Sequence, residues 1–133
     1  MGWVCAKDGK SNADSLDTCP VCGAARPCRV ALTGSVGMIE MRLATDVGGA
    51  VLAEAVGEEA RFCANPQYRL AVDESNRWRI AAFGETRNAT VVNRVVVPDS
   101  GVVLKAGDEI AVASRTDPAK VAAVVKVDLL PIK

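Results

Sequence analysis

The chain has 133 residues, and its sixteen basic and sixteen acidic side chains leave a formal net charge of zero. That length allows one ordinary domain plus a small module, and neutrality withholds the electrostatic footprint of a nucleic-acid or membrane-surface binder. Histidine is absent, which removes Ser-His-Asp and Cys-His nucleophile arrangements and the commonest general base. Half of the residues are hydrophobic, but the aromatics are only two Trp, one Tyr and two Phe. Valine and alanine must then build a thin core, as they do in β structure. Met1 to Gly9 has no apolar core of a signal peptide, and no apolar run approaches a membrane span. The expectation is a cytoplasmic protein with reduced cysteines.

Four of the five cysteines, Cys5, Cys19, Cys22 and Cys28, fall in the first 28 residues, among Gly9, Pro20, Gly23 and Pro27. Cys19-Pro20-Val21-Cys22-Gly23 is a metal knuckle. Two thiolates at this spacing can bind one tetrahedral ion, and the glycine permits the tight turn that aims backbone N–H groups at sulfur. Cys5-Ala6-Lys7-Asp8-Gly9 repeats the shape, with Asp8 standing where Cys22 stands. Carboxylate oxygen is an accepted zinc ligand, so the pseudo-repeat predicts a zinc site of Cys5, Asp8, Cys19 and Cys22. Cys28 is the rival fourth ligand, with a softer sulfur but a poorer spacing. Knuckle spacing without a secretory signal argues against disulfides.

Trp3-x-Cys5, then Asn12, then Cys19-x2-Cys22 resembles the Ran-binding-protein type of zinc finger over roughly Gly2 to Pro27. The resemblance implies a small zinc-ribbon-like finger at residues 1–28. Members of that family bind ubiquitin or single-stranded RNA. Here Gly9-Lys10 replaces the Thr-Phe pair of the ubiquitin binders, and Trp3, the module's only aromatic, is expected to cover the metal rather than stack on a base. Nucleic acid is therefore disfavoured. A finger that zinc folds and that binds nothing is the plainer alternative.

From about Arg29 the texture changes to short valine-rich runs broken by Gly, Asn, Asp and Pro. The boundary is placed at Pro27 to Val30, with Leu32 to Gly37 as a linker or first loop. Ile39, Met41 and Leu43 alternate with Glu40 and Arg42. Trp78 and Ile80 alternate with Arg77 and Arg79, and Val125, Val127 and Leu129 alternate with Lys126 and Asp128. Period-two patterning between frequent turns predicts a β-sandwich over residues 36–130. Ala50 to Val56 is ambiguous between helical turns and a poor strand. Cys63, beside Phe62, reads as a buried small hydrophobe.

Asn88-Ala89-Thr90-Val91-Val92-Asn93 and Leu104-Lys105-Ala106-Gly107-Asp108-Glu109-Ile110 resemble the second half of a forkhead-associated (FHA) domain. The resemblance implies an eleven-stranded sandwich whose loops at one end read phosphothreonine peptides. In the first half the family's Gly-Arg falls at Gly48-Gly49, and its Ser and His fall at Ala64 and Gln67. An arginine fork and a hydroxyl, which phosphate recognition requires, are thus missing. Candidate partner contacts are Gly49, Ala64, Gln67, Arg87, Asn88, Thr90 and Asn93. Asn88 and Asn93 have a second reading as local turn formers. Arg61, Arg69 or Arg87 could supply the lost charge from another direction, but each reads first as a solvated surface arginine. The expectation is a mostly β, non-enzymatic adaptor that binds another protein or peptide. The alternative is a working phosphothreonine reader in a bacterial-type signalling complex. P-loop and Rossmann fingerprints are absent, and a zinc ion ligated on all sides by protein has no open position for water.

Overall fold

The computed structural model describes residues 2–131 apart from 6–7, 14, 17, 24–25, 27, 76, 84–85 and 118–119. At the N-terminus β1 (Trp3–Val4) pairs antiparallel with β2 (Ser11–Asn12), Trp3 lying opposite Asn12. The remaining strands form two antiparallel sheets. One has six strands, in the order β4 (Met38–Met41), β3 (Cys28–Thr33), β12 (Val121–Pro131), β11 (Glu109–Ala113), β8 (Ala89–Val92), β9 (Val95–Val96). The other has four, in the order β10 (Val102–Val103), β7 (Trp78–Ala82), β6 (Tyr68–Val72), β5 (Thr45–Val47).

The mostly β sandwich expected from the alternating pattern is present, with ten strands among the described residues instead of the eleven implied. Alternation places Val30 and Leu32 of β3, Val125 and Val127 of β12, and Leu70 and Ile80 of β6 and β7 in one core. The indole N–H of Trp78 donates to the Cys28 carbonyl at 2.8 Å, a direct bond between the sheets. One expectation is overturned here. Leu32 to Gly37 is not a linker as a whole, because Leu32 and Thr33 end β3, which is flanked by β4 and β12. Leu32 itself is fully buried. Only Gly34 to Gly37 turns, closed by the Gly34 N–H on the Gly37 carbonyl at 2.8 Å.

The ambiguous segment is α1 (Gly49–Val56), which lays Leu52, Ala55 and Val56 on the core. Those positions share one face at helical spacing. Gly57 stops it with φ +63° and an N–H on the Ala53 carbonyl, and a 3-10 helix follows over Gly57–Phe62. Asn93 and Arg94, both at positive φ, form the two-residue turn between β8 and β9 that matches strand twist. Asp73 organises the β6–β7 turn by accepting the Ser75 and Arg77 N–H groups at 2.8 and 2.9 Å. Among the described residues no helix is long and apolar enough to cross a membrane.

Candidate metal centre and candidate partner-binding face

The two N-terminal knuckles have matching backbones. The Gly9 N–H donates to the Cys5 carbonyl at 2.9 Å, and the Gly23 N–H donates to the Cys19 carbonyl at 2.8 Å. Gly9 and Gly23 sit at φ +76° and +78°, a conformation that glycine adopts without steric cost. The turns bring the donor atoms of Cys5, Asp8, Cys19 and Cys22 within 4.8 Å of one another. The Cys5 and Cys22 sulfurs are 3.4 Å apart, and the Cys19 thiol lies 3.4 Å from Asp8 Oδ2. Asp8 Oδ1 accepts the Lys10 N–H at 2.8 Å, and that bond is the chief reason its carboxyl lies below the usual carboxylate range. Burial pushes the Cys19 thiol up, but the Cys22 and Val21 N–H groups outweigh it, and its pKa falls below the ordinary thiol value. Three sulfurs and one oxygen at this separation form a donor set that fits a tetrahedral metal ion.

Cys28 stands outside this group. It opens β3, and its thiol donates to the Arg26 carbonyl at 3.2 Å. None of the five cysteines is in a disulfide. Trp3 packs against Cys5 and Cys19 in a small buried cluster separate from the sandwich core, and its indole N–H is committed to the Leu16 carbonyl at 2.7 Å. The ring is therefore not displayed for stacking.

The chain's central polar network lies at one end of the sandwich. Gln67 is fully buried. Its side-chain oxygen accepts the Ala64 N–H at 2.8 Å, and its amide donates to the Asn88 carbonyl at 2.9 Å and to the Thr90 hydroxyl at 3.0 Å. The Gly49 N–H reaches the Ala64 carbonyl at 3.1 Å, and the Asn88 amide reaches the Phe62 carbonyl at 2.8 Å. The segments around Gly48–Gly49, Ala64–Gln67 and Arg87–Asn88, far apart in sequence, thus meet.

Several candidate contacts take different places from those expected. Gln67 and Thr90 are buried, at 0 and 2 % exposure, so they hold the loops from beneath and cannot touch a partner themselves. Gly49 is buried at the first turn of α1. A Cβ there would stand 2.7 Å from the Ala60 carbonyl oxygen and 3.3 Å from that of Cys63, so no side chain fits without moving backbone. Asn93 is at the opposite end of β8 from Asn88. Its side chain is spent on the Leu104–Asp108 turn, donating to Asp108 Oδ1 and accepting the Glu109 N–H, both at 3.0 Å. That is the turn-forming reading, made by a long-range contact.

Arg87 is exposed and Asn88 and Ala64 are partly buried. Arg87 and Asn88, with Glu59, Phe62, Ser114, Lys120, Val112 of β11 and Val121 and Ala122 of β12, line a cleft of about 400 Å³. Sequence reasoning missed Asn65, whose side-chain oxygen accepts the Ala50 N–H at 3.0 Å. It does the work of a helix cap that Gly48 has no side chain to do. Cys63 is buried as expected, and that burial pushes its thiol up to about 11.

No protein-family model matches the chain, and no curated protein matches its sequence. Solved structures do share its fold. The FHA domain of a hypothetical protein from Arabidopsis thaliana superposes with a TM-score of 0.60 at 18% identity, covering 94% of this chain and 98% of that one. An engineered FHA domain with a Myc-pTBD peptide gives 0.53 at 19% identity, covering 78% and 91%. The sandwich is therefore of the FHA type. Identities this low establish the architecture alone.

Proposed function

We propose that this chain is a non-enzymatic protein-interaction adaptor. The loop end of its FHA-type sandwich binds a partner peptide without needing phosphate, and a zinc-braced finger precedes the sandwich. The observation that carries this reading is the burial of Gly49 under the Ala60 carbonyl. The FHA resemblance puts the phosphate-binding arginine at that position, and α1 with the 3-10 helix leaves no room for its side chain. Ala64, where the resemblance puts a serine, has no hydroxyl. What remains is a rigid, cross-linked loop end, and loops on a rigid scaffold are the usual place for recognition. One solved structure of this fold, the engineered FHA domain, is of the domain with a peptide.

The finger occupies the residues before β3, and the sandwich starts with β3 itself. Zinc held by Cys5, Asp8, Cys19 and Cys22 would supply folding free energy to a module whose buried hydrophobic cluster, among the described residues, is Trp3, Cys5 and Cys19. A reducing, cytoplasmic setting would keep those thiols available. The second reading, a phosphopeptide reader, is favoured by one feature. Arg87, Lys120 and Ser114 line the same cleft and could meet an anionic group from another side. A pull-down from native lysate, with and without phosphatase, separates the two. The adaptor keeps its partners after phosphatase treatment, and the reader loses them.

A further inference from the structure

The four donors of the N-terminal cluster are not equivalent. Cys5 and Cys19 are buried against Trp3, whereas Asp8 and Cys22 are exposed. The single oxygen donor therefore stands on the open side. Its two oxygens also differ. Oδ1 already accepts the Lys10 N–H, and Oδ2 is the atom beside Cys19 Sγ. An ion in the cluster would meet three sulfurs but only one carboxylate oxygen. Of the two exposed donors, Asp8 would be held through a single oxygen, and thiolate suits a borderline-soft ion better than oxygen does.

We propose that Asp8 is a displaceable ligand, and that the cluster is a binding site for a small thiol at the metal's fourth position. This rests on the zinc reading above. In the exchange the bond from the metal to Asp8 Oδ2 breaks, the bond to the incoming sulfur forms, and the thiol proton passes to solvent. Nothing is oxidised or reduced. The Lys10 N–H keeps the released carboxylate close, so Asp8 returns when the thiol leaves. The glycine turns after Cys5 and Cys19 do not depend on Asp8 and hold the three-sulfur platform meanwhile.

Cobalt(II) in place of zinc makes the exchange visible. The full chain carrying Cys28→Ser, so that the added thiol is the only new sulfur nearby, is loaded with cobalt and titrated with 2-mercaptoethanol. The expected result is a shift of the visible bands to longer wavelength. Thiolate-to-cobalt charge-transfer absorbance should rise by about one third as the sulfur ligands go from three to four. Asp8→Cys should show the four-sulfur spectrum from the start and not respond. A cobalt-loaded chain whose spectrum stays fixed, or whose bands vanish because the thiol strips the metal, overturns the proposal while the metal site stands. A chain that takes up no cobalt overturns the zinc reading and this proposal with it.

Discussion

The buried Gln67 amide donates to the Asn88 carbonyl across twenty-one positions of sequence, tying the approach to β6 to the start of β8. The same side chain satisfies the Ala64 N–H and the Thr90 hydroxyl. A buried polar hub is costly to remove, because its partners are left unpaired in a low dielectric. Gln67→Leu is expected to cost about 2 kcal/mol, read as a lower midpoint in urea unfolding with an unchanged slope. A loss within experimental scatter would mean that water replaces the side chain and that the loop end is not held by it.

The proposed boundary between the N-terminal module and the sandwich predicts a contrast between two leucines. Leu32 is fully buried in a central strand, whereas Leu43 is 79 % exposed. Leu32→Ala should destabilise by about 2–5 kcal/mol, and Leu43→Ala by less than about 0.5 kcal/mol. Thermal unfolding of both variants checks this. Equal, small effects would return Leu32 to a linker.

Several features were legible because they are local. The knuckle repeat is a matter of covalent spacing, so Cys5, Asp8, Cys19 and Cys22 could be grouped before any fold was known, and the structure brings their donor atoms together. The alternation around Trp78 and Ile80 similarly reports a half-buried strand. Features set by distant residues were not legible. The helix at Gly49–Val56 has no side-chain cap of its own, and the oxygen that serves it comes from Asn65. Gln67 looked like a loop contact because its partners lie about twenty residues away. Asn93 looked like part of the same site as Asn88 because only β8 separates them in sequence, yet that strand carries them to opposite ends.

For the metal centre, one zinc per purified chain is expected. Asp8→Ala should weaken its retention against a chelator, and Asp8→Cys should strengthen it, because thiolate replaces an exposed oxygen. Cys28→Ser should leave retention unchanged, since that thiol lies outside the donor group and bonds the Arg26 carbonyl. Competition with a chromogenic chelator measures all three. Stronger weakening by Cys28→Ser than by Asp8→Ala would make Cys28 the fourth ligand.

Asp73 predicts a pH dependence. Burial raises its pKa, but the Arg77 and Ser75 N–H groups and the Arg77 charge outweigh it, and the carboxyl falls below its ordinary value of 3.8. A carboxyl depressed in the folded state adds stability that is fully present above the unfolded pKa and is lost as pH falls through the lower folded pKa. Asp73→Asn should therefore cost about 1 kcal/mol near neutrality, and the gap from wild type should close below about pH 4. Denaturant titrations near neutrality and in acid test this. A gap of constant size would assign the effect to turn geometry alone.

The central claim is that the loop end recognises a partner without phosphate. It is tested most directly by titrating the chain calorimetrically with one partner-derived peptide, synthesised with and without phosphothreonine. A single charge-assisted bond to phosphate contributes about 1.5–3 kcal/mol, which is tenfold or more in affinity. With no space for a side chain at Gly49 and no hydroxyl at Ala64, the two peptides should bind within about threefold of each other. Micromolar binding of the phosphorylated peptide that disappears on dephosphorylation would contradict the account.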